Sequence, residues 1–97
     1  MPHYVTLLRY TAQGIAKVKE SPKRLDAGRK AAESMGGKIH SWYLTMGKYD
    51  AVFISEFPDD ETVARFMLSL GGLGNVTTQT LKAFNEAEYR KIISALP

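Results

Sequence analysis

Ninety-seven residues, 44% apolar and 24% charged, are enough for one globular domain with one core and too few for two. Thirteen Lys and Arg against ten Asp and Glu leave a net charge of +3, a mild excess that does not by itself mark a nucleic-acid binder. The absence of cysteine excludes disulfides, thiolate catalysis and Cys-ligated zinc or iron–sulfur centres, and no stretch approaches the ~20 apolar residues of a membrane span.

Tyr4–Tyr10 is rich in β-branched and aromatic residues and reads as a strand. Residues 12–20 read as a short helical turn. Ser21-Pro22 then starts a helix, with Ser21 at the N-cap and Pro22 at the first helical position. Leu25, Gly28, Ala32 and Met35 line one face of it, and Gly36-Gly37 ends it. Ile39–Met46 and Tyr49–Phe57 are the second and third strands. Asp59-Asp60 caps the next helix and puts negative charge at its positive end, and Val63, Phe66, Met67 and Leu70 form its apolar stripe. Gly71, Gly72 and Gly74 stop this helix before a fourth strand at Val76–Phe84. Asn85 and Glu88 make a capping box, and Tyr89, Ile92, Ile93 and Leu96 repeat the helical stripe.

The order is β-α-β twice, then a helix. Residues 1–97 are therefore expected to form a single α+β, ferredoxin-like βαββαβ domain. Its four-stranded antiparallel sheet should carry both long helices on one side. Residues 1–10 are too short and too polar for a signal peptide, so a cytoplasmic location is expected.

Met46-Gly47-Lys48-Tyr49 reads as a two-residue hairpin loop of type II′. Met46 then opposes Tyr49. One sheet face carries His40, Trp42, Leu44 and Met46 against Ser55, Phe53, Ala51 and Tyr49, and the other carries Ile39, Ser41, Tyr43 and Thr45 against Glu56, Ile54, Val52 and Asp50. Neither face has the alternation of a half-solvated sheet. In the first strand Val5 and Leu7 point one way, and Tyr4, Leu8 and Tyr10 the other. Helices on one side cover one face only. Burying ~400 Å² of the other on each of two partners contributes ~20 kcal/mol at ~25 cal/mol/Å², against an association cost of about 4–15 kcal/mol. The expected assembly is a homodimer with stacked sheets, or a higher homo-oligomer built from it. Asp, Thr, Ser and Tyr among the apolar residues leave room between the sheets for a small organic ligand or water.

The segment Tyr43-Leu44-Thr45-Met46-Gly47-Lys48-Tyr49-Asp50 resembles the Gly-x-Tyr-Asp hairpin of the GYD domain family. Flanking matches are Thr11-Ala12-Gln13-Gly14-Ile15, Glu20-Ser21-Pro22-Lys23-Arg24, Phe57-Pro58-Asp59-Asp60 and Gly74-Asn75-Val76-Thr77-Thr78-Gln79-Thr80. The resemblance implies a dimeric α/β-barrel protein and lends no reaction. A similar hairpin occurs in the ligand-sensing domain of leucine-responsive-type regulators, and the same superfamily contains cofactor-independent oxygenases and small isomerases.

Asp50 is the sharpest chemical candidate: a carboxylate between sheets could act as a general base, or it could bond backbone N–H groups to fix the hairpin. His40 is the second candidate base. Tyr43 and Tyr49 could hydrogen-bond a ligand and Trp42 could stack on one, although strand aromatics commonly serve core and interface. Two histidines, His3 and His40, without H-E-x-x-H spacing give no expected metal site, and no cofactor motif is present. Gly71-Gly72-Leu73-Gly74 follows a helix and precedes a strand, the reverse of a phosphate-binding fingerprint. The run Lys17, Lys19, Lys23, Arg24, Arg29, Lys30 reads as a solvated helical face. The third strand lacks the Lys/Arg-Gly-aromatic signature of RNA-recognition modules, and Asp50 and Glu56 would repel phosphate, so nucleic acid is not expected as a partner. Three readings stand together: a small-molecule-binding homodimeric module acting as a ligand sensor, a cofactor-independent oxygenase or isomerase acting on an activated aromatic or carbonyl substrate, and a purely structural assembly unit.

Overall fold

A computed structural model describes residues 1–97. Its elements are β1 (His3–Tyr10), α1 (Ala12–Ala16), a 3₁₀ turn (Val18–Glu20), α2 (Ser21–Ser34), β2 (Lys38–Leu44), β3 (Ala51–Glu56), α3 (Asp60–Gly72), β4 (Val76–Ala83) and α4 (Glu86–Ser94). The expected start of α2 shifts by one residue. The 3₁₀ turn runs directly into the helix, so Ser21 already has helical dihedrals, Glu20 takes the N-cap position, and no side chain caps the end. The other caps form as the sequence expects. Asp59 accepts from the Thr62 N–H at 2.8 Å, and Asn85 and Glu88 close a reciprocal capping box. Gly36 ends α2 at φ +81°, a conformation that side chains with a Cβ rarely adopt. Gly14 is fixed by crowding instead, because a Cβ there would sit 1.9 Å from the Asn75 carbonyl oxygen.

The strands form one sheet in the order β2-β3-β1-β4, with every neighbouring pair antiparallel. Together with the two long helices this is the α+β, ferredoxin-like arrangement. The hairpin register holds from Ser41↔Ile54 to Leu44↔Ala51. Beyond Ser41 it breaks. A bulge at His40 places Ile39, not His40, opposite Ser55, and Lys38 opposite Glu56. The inserted residue reverses the expected faces at this point: Ile39 joins the helix-covered face and is buried, while the His40 imidazole meets Glu56 on the other.

The core lies between the sheet and the α2–α3 layer. Tyr4, Leu8, Ile39, Ala51, Phe53 and Phe57 rise from the sheet side, and Ala32, Val63 and Phe66 come down from the helices. Phe57 and Phe66 are fully buried with ring centroids 5.1 Å apart, a contact that stabilises beyond area burial alone. The two helices contribute unequally. α3 inserts Val63 and Phe66, whereas the buried residues of α2 are Gly28 and Ala32. No residue of α4 is buried, and Tyr89, Ile92 and Ile93 remain exposed along its apolar side.

Candidate functional site

The Gly47–Asp50 hairpin is tied to the central strand β1. As β3 turns away at its first residue, the Asp50 N–H donates to the Leu8 carbonyl at 2.8 Å, and the Asp50 carboxylate accepts from the Tyr10 N–H at 2.8 Å. The side chain thus supplies the ladder acceptor that the departing backbone no longer offers. Thr45 closes the loop: its hydroxyl donates to the Tyr49 carbonyl at 2.7 Å and its N–H to the Asp50 carbonyl at 2.9 Å. The Tyr49 hydroxyl donates to Gln79 on β4 at 3.0 Å, so its ring reaches across β1. Arg9 and Lys48 each lie 5.8 Å from that ring's centre, and Arg9 donates to the Lys48 carbonyl at 2.8 Å.

The five sequence candidates do not converge on one pocket. Tyr43, Tyr49 and His40 lie on the sheet face away from α2 and α3, Trp42 lies on the opposite face, and Asp50 sits at the strand junction bonded to backbone. The face away from the helices carries Val5, Leu7, Val52, Ile54 and Leu81. Ile54 is 37% exposed, Leu81 46% and Tyr43 61%. At one end of this face both imidazoles converge on one oxygen of Glu56: His3 Nε2 at 2.8 Å and His40 Nε2 at 3.1 Å. Each donates its Nε2–H to the carboxylate. His3 Nδ1 is buried without a hydrogen bond, its nearest charged neighbour being Glu88 at 3.9 Å. No group of three or more His, Asp or Glu side chains is arranged to hold a metal ion. The regular β1–β3 register sets His3 opposite Glu56, and the bulge that brings His40 to the same carboxylate has no signature in a single chain.

The other face of the sheet holds a cleft of about 490 Å³ under α2, lined largely by apolar side chains, a size within the roughly 300–1,000 Å³ of small-molecule sites. Its floor is Leu8, Ile39, Trp42 and Phe53, and Gly28 and Ala31 of α2 form its roof. An ideal Cβ on Gly28 would meet nothing within 4 Å. The glycine therefore does not serve close packing, although it costs the helix about 1 kcal/mol relative to alanine. Arg24 is the one charged side chain in the lining, and no carboxylate accompanies it. It donates to the Gly14 carbonyl at 3.1 Å, using one of its five N–H groups.

A shallower groove lies between α3 and β4, with Tyr4 and Asp60 at its edge. The Tyr4 hydroxyl, on a side chain only 2% exposed, donates to Asp60. Burial first, then this bond and the nearby carboxylates, push the Tyr4 phenol up to about 12. The same bond, with Lys82 at 3.4 Å, holds the Asp60 carboxyl below its ordinary value.

With this hairpin and sheet in view, comparison with known proteins gives a family. The family model described as the GYD domain matches residues 4–93. The chain belongs to the GYD domain family. A curated relative of this GYD domain, from Thermus thermophilus, is 33% identical over 89 residues, covering 91% of the chain and 94% of the relative. That protein is named a glutamine synthetase and cystathionine beta-lyase binding protein. Two solved structures share the GYD domain's fold. MtbAldR superposes with a TM-score of 0.69 at 13% identity over 88% of this chain, which spans 52% of MtbAldR. A crystal structure from Thermus thermophilus superposes with a TM-score of 0.56 at 23% identity, over 88% of this chain and 95% of its own. No helix of the GYD domain is long and apolar enough to cross a membrane.

Proposed function

We propose that this GYD domain is a ligand-responsive binding module: a homodimer, its sheets stacked through the faces that α2 and α3 leave bare, that docks on enzymes of amino-acid metabolism. The observation that carries the dimer is the stripe Val5, Leu7, Val52, Ile54 and Leu81, apolar and without a helical cover. A contiguous apolar patch of this kind marks an interaction surface. The enzyme-binding part is supported by the name of the Thermus relative, which aligns with nearly all of this chain. The Asp50 carboxylate, bonded to the Tyr10 N–H, fits a module that holds its hairpin rigid better than an enzyme that spends this group on proton abstraction.

Sedimentation equilibrium at micromolar concentration tests the assembly. The wild type is expected at twice the 10.8 kDa chain mass, and Ile54→Lys, which puts a charge into the stacked faces, is expected at the monomer mass with an unchanged circular dichroism spectrum. A wild-type monomer overturns the dimer. Calorimetric titration of the purified protein into glutamine synthetase and into cystathionine beta-lyase from its own host tests the docking. Saturable heat with either enzyme supports it, and silence with both overturns it.

A further inference from the structure

We propose that the cleft between α2 and the sheet is the ligand site, and that it takes an apolar carboxylate: a medium-chain or aryl-substituted acid whose hydrocarbon body lies on Trp42 and Phe53 and whose anionic end meets Arg24. The inference deepens the binding-module reading by naming the ligand class and its place. It does not depend on the sheets stacking, because the cleft lies wholly within one chain.

Three observations converge on it. The first is volume: about 490 Å³ remain open inside the layer that should be most tightly packed, whereas protein interiors ordinarily leave few voids larger than a water molecule. The second is the origin of that space. The floor carries large side chains, and α2 answers them with Gly28 and Ala31, so the opening is built by residue size and not by a strained backbone. The third is charge. Arg24 is half-buried at the edge of an apolar lining with no acidic partner. A guanidinium so placed favours a ligand carboxylate, which it can bind with two parallel hydrogen bonds. The Arg24–Gly14 contact fixes the side chain's position and leaves further N–H groups for a ligand.

Trp42 is the chain's one tryptophan and lines the cleft, so its fluorescence reports occupancy directly. The experiment titrates decanoate and decanol, separately, into wild type, Arg24→Gln, Arg24→Leu and Gly28→Leu, and repeats the wild-type titration in Ile54→Lys. Decanoate is expected to give a saturable change at one site per chain. Arg24→Gln keeps a donor for the Gly14 carbonyl, and both Arg24 variants are expected to weaken decanoate by about tenfold or more, the effect of losing a charge-assisted pair, while leaving decanol within about twofold. Gly28→Leu, which grows a side chain into the opening, is expected to abolish both. The Ile54→Lys protein is expected to bind decanoate as the wild type does. No saturable change in folded wild type overturns the site. Undiminished decanoate binding in Gly28→Leu places the acid elsewhere and does the same. Equal loss of decanoate and decanol in Arg24→Gln overturns the carboxylate assignment. Loss of decanoate binding in Ile54→Lys overturns the single-chain site and points to the space between stacked sheets. Binding that survives in a protein shown to be monomeric at the outset sinks the dimer alone.

Discussion

Helices α2 and α3 roof the same sheet face, with opposite results. α3 sets large side chains beneath it: Phe66 is fully buried against Phe57, and Val63 is nearly so. α2 presents Gly28 and Ala31 over Trp42, Phe53 and Ile39 and leaves the cleft. The two β-α-β units each carry one long helix between two strands, the first with α1 and a 3₁₀ turn ahead of it, so the crossover itself did not make the difference. Side-chain size along a single helix face did. A similar spacing of apolar positions yields close packing where the residues are Val and Phe, beside the shallower groove between α3 and β4, and a more enclosed opening where they are Gly and Ala.

The contrast can be broken most sharply on the α3 side. Phe66→Ala removes a fully buried ring that packs on Phe57 and also walls the cleft, and is expected to cost about 3–5 kcal/mol, read from urea unfolding. A loss below about 1 kcal/mol would mean that α3 packs no better than α2. On the α2 side the sign should reverse. Gly28→Ala adds a methyl group to open space and restores helix propensity, so a gain of about 1 kcal/mol is expected. For a domain this size that raises the Tm by roughly 4–8 °C. Destabilisation by the same change would show that the cleft closes in solution. An effect confined to alkaline pH concerns the far edge of the α3 side. The Tyr4 phenol is pushed up to about 12 from an unfolded value of about 10. Folding then favours the neutral phenol, so this group's contribution is complete below pH about 10 and is lost as pH rises toward about 12. Tyr4→Phe removes the ionisation, and its stability is expected to fall less steeply than wild type over that window. Parallel slopes would show that the phenol is not held neutral by burial.

Much of this was legible in the residues. The stripe Val63, Phe66, Met67, Leu70, the Asp59 and Asn85 caps and the β2–β3 register from Ser41 to Leu44 each rest on a local rule, and together they define the fold. The two-residue loop does not form, since β2 ends at Leu44, β3 begins at Ala51, and Tyr49 turns to the face opposite Trp42. The faces of β1 followed from simple alternation. What escaped was anything that depends on one extra residue or on facing surfaces. The bulge at His40 is a departure from period two that a single sequence does not announce, and it moved Ile39 inward and brought His40 to Glu56. The start of α2 escaped because a 3₁₀ turn took the place of the expected Ser21 cap. The cleft left a partial trace, the small residues Gly28 and Ala31. Their meaning emerges only when Trp42 and Phe53 are known to lie opposite, and Arg24 was read with its neighbours as part of a solvated charged face.

The bulge has one more effect. β2 is an outermost strand, and such a strand invites another chain to add to its row of free backbone groups. The extra residue at His40 interrupts that row near its beginning and bends the rim, while Lys38 sets a charge beside it. Ribbon growth from molecule to molecule along this margin is thereby discouraged.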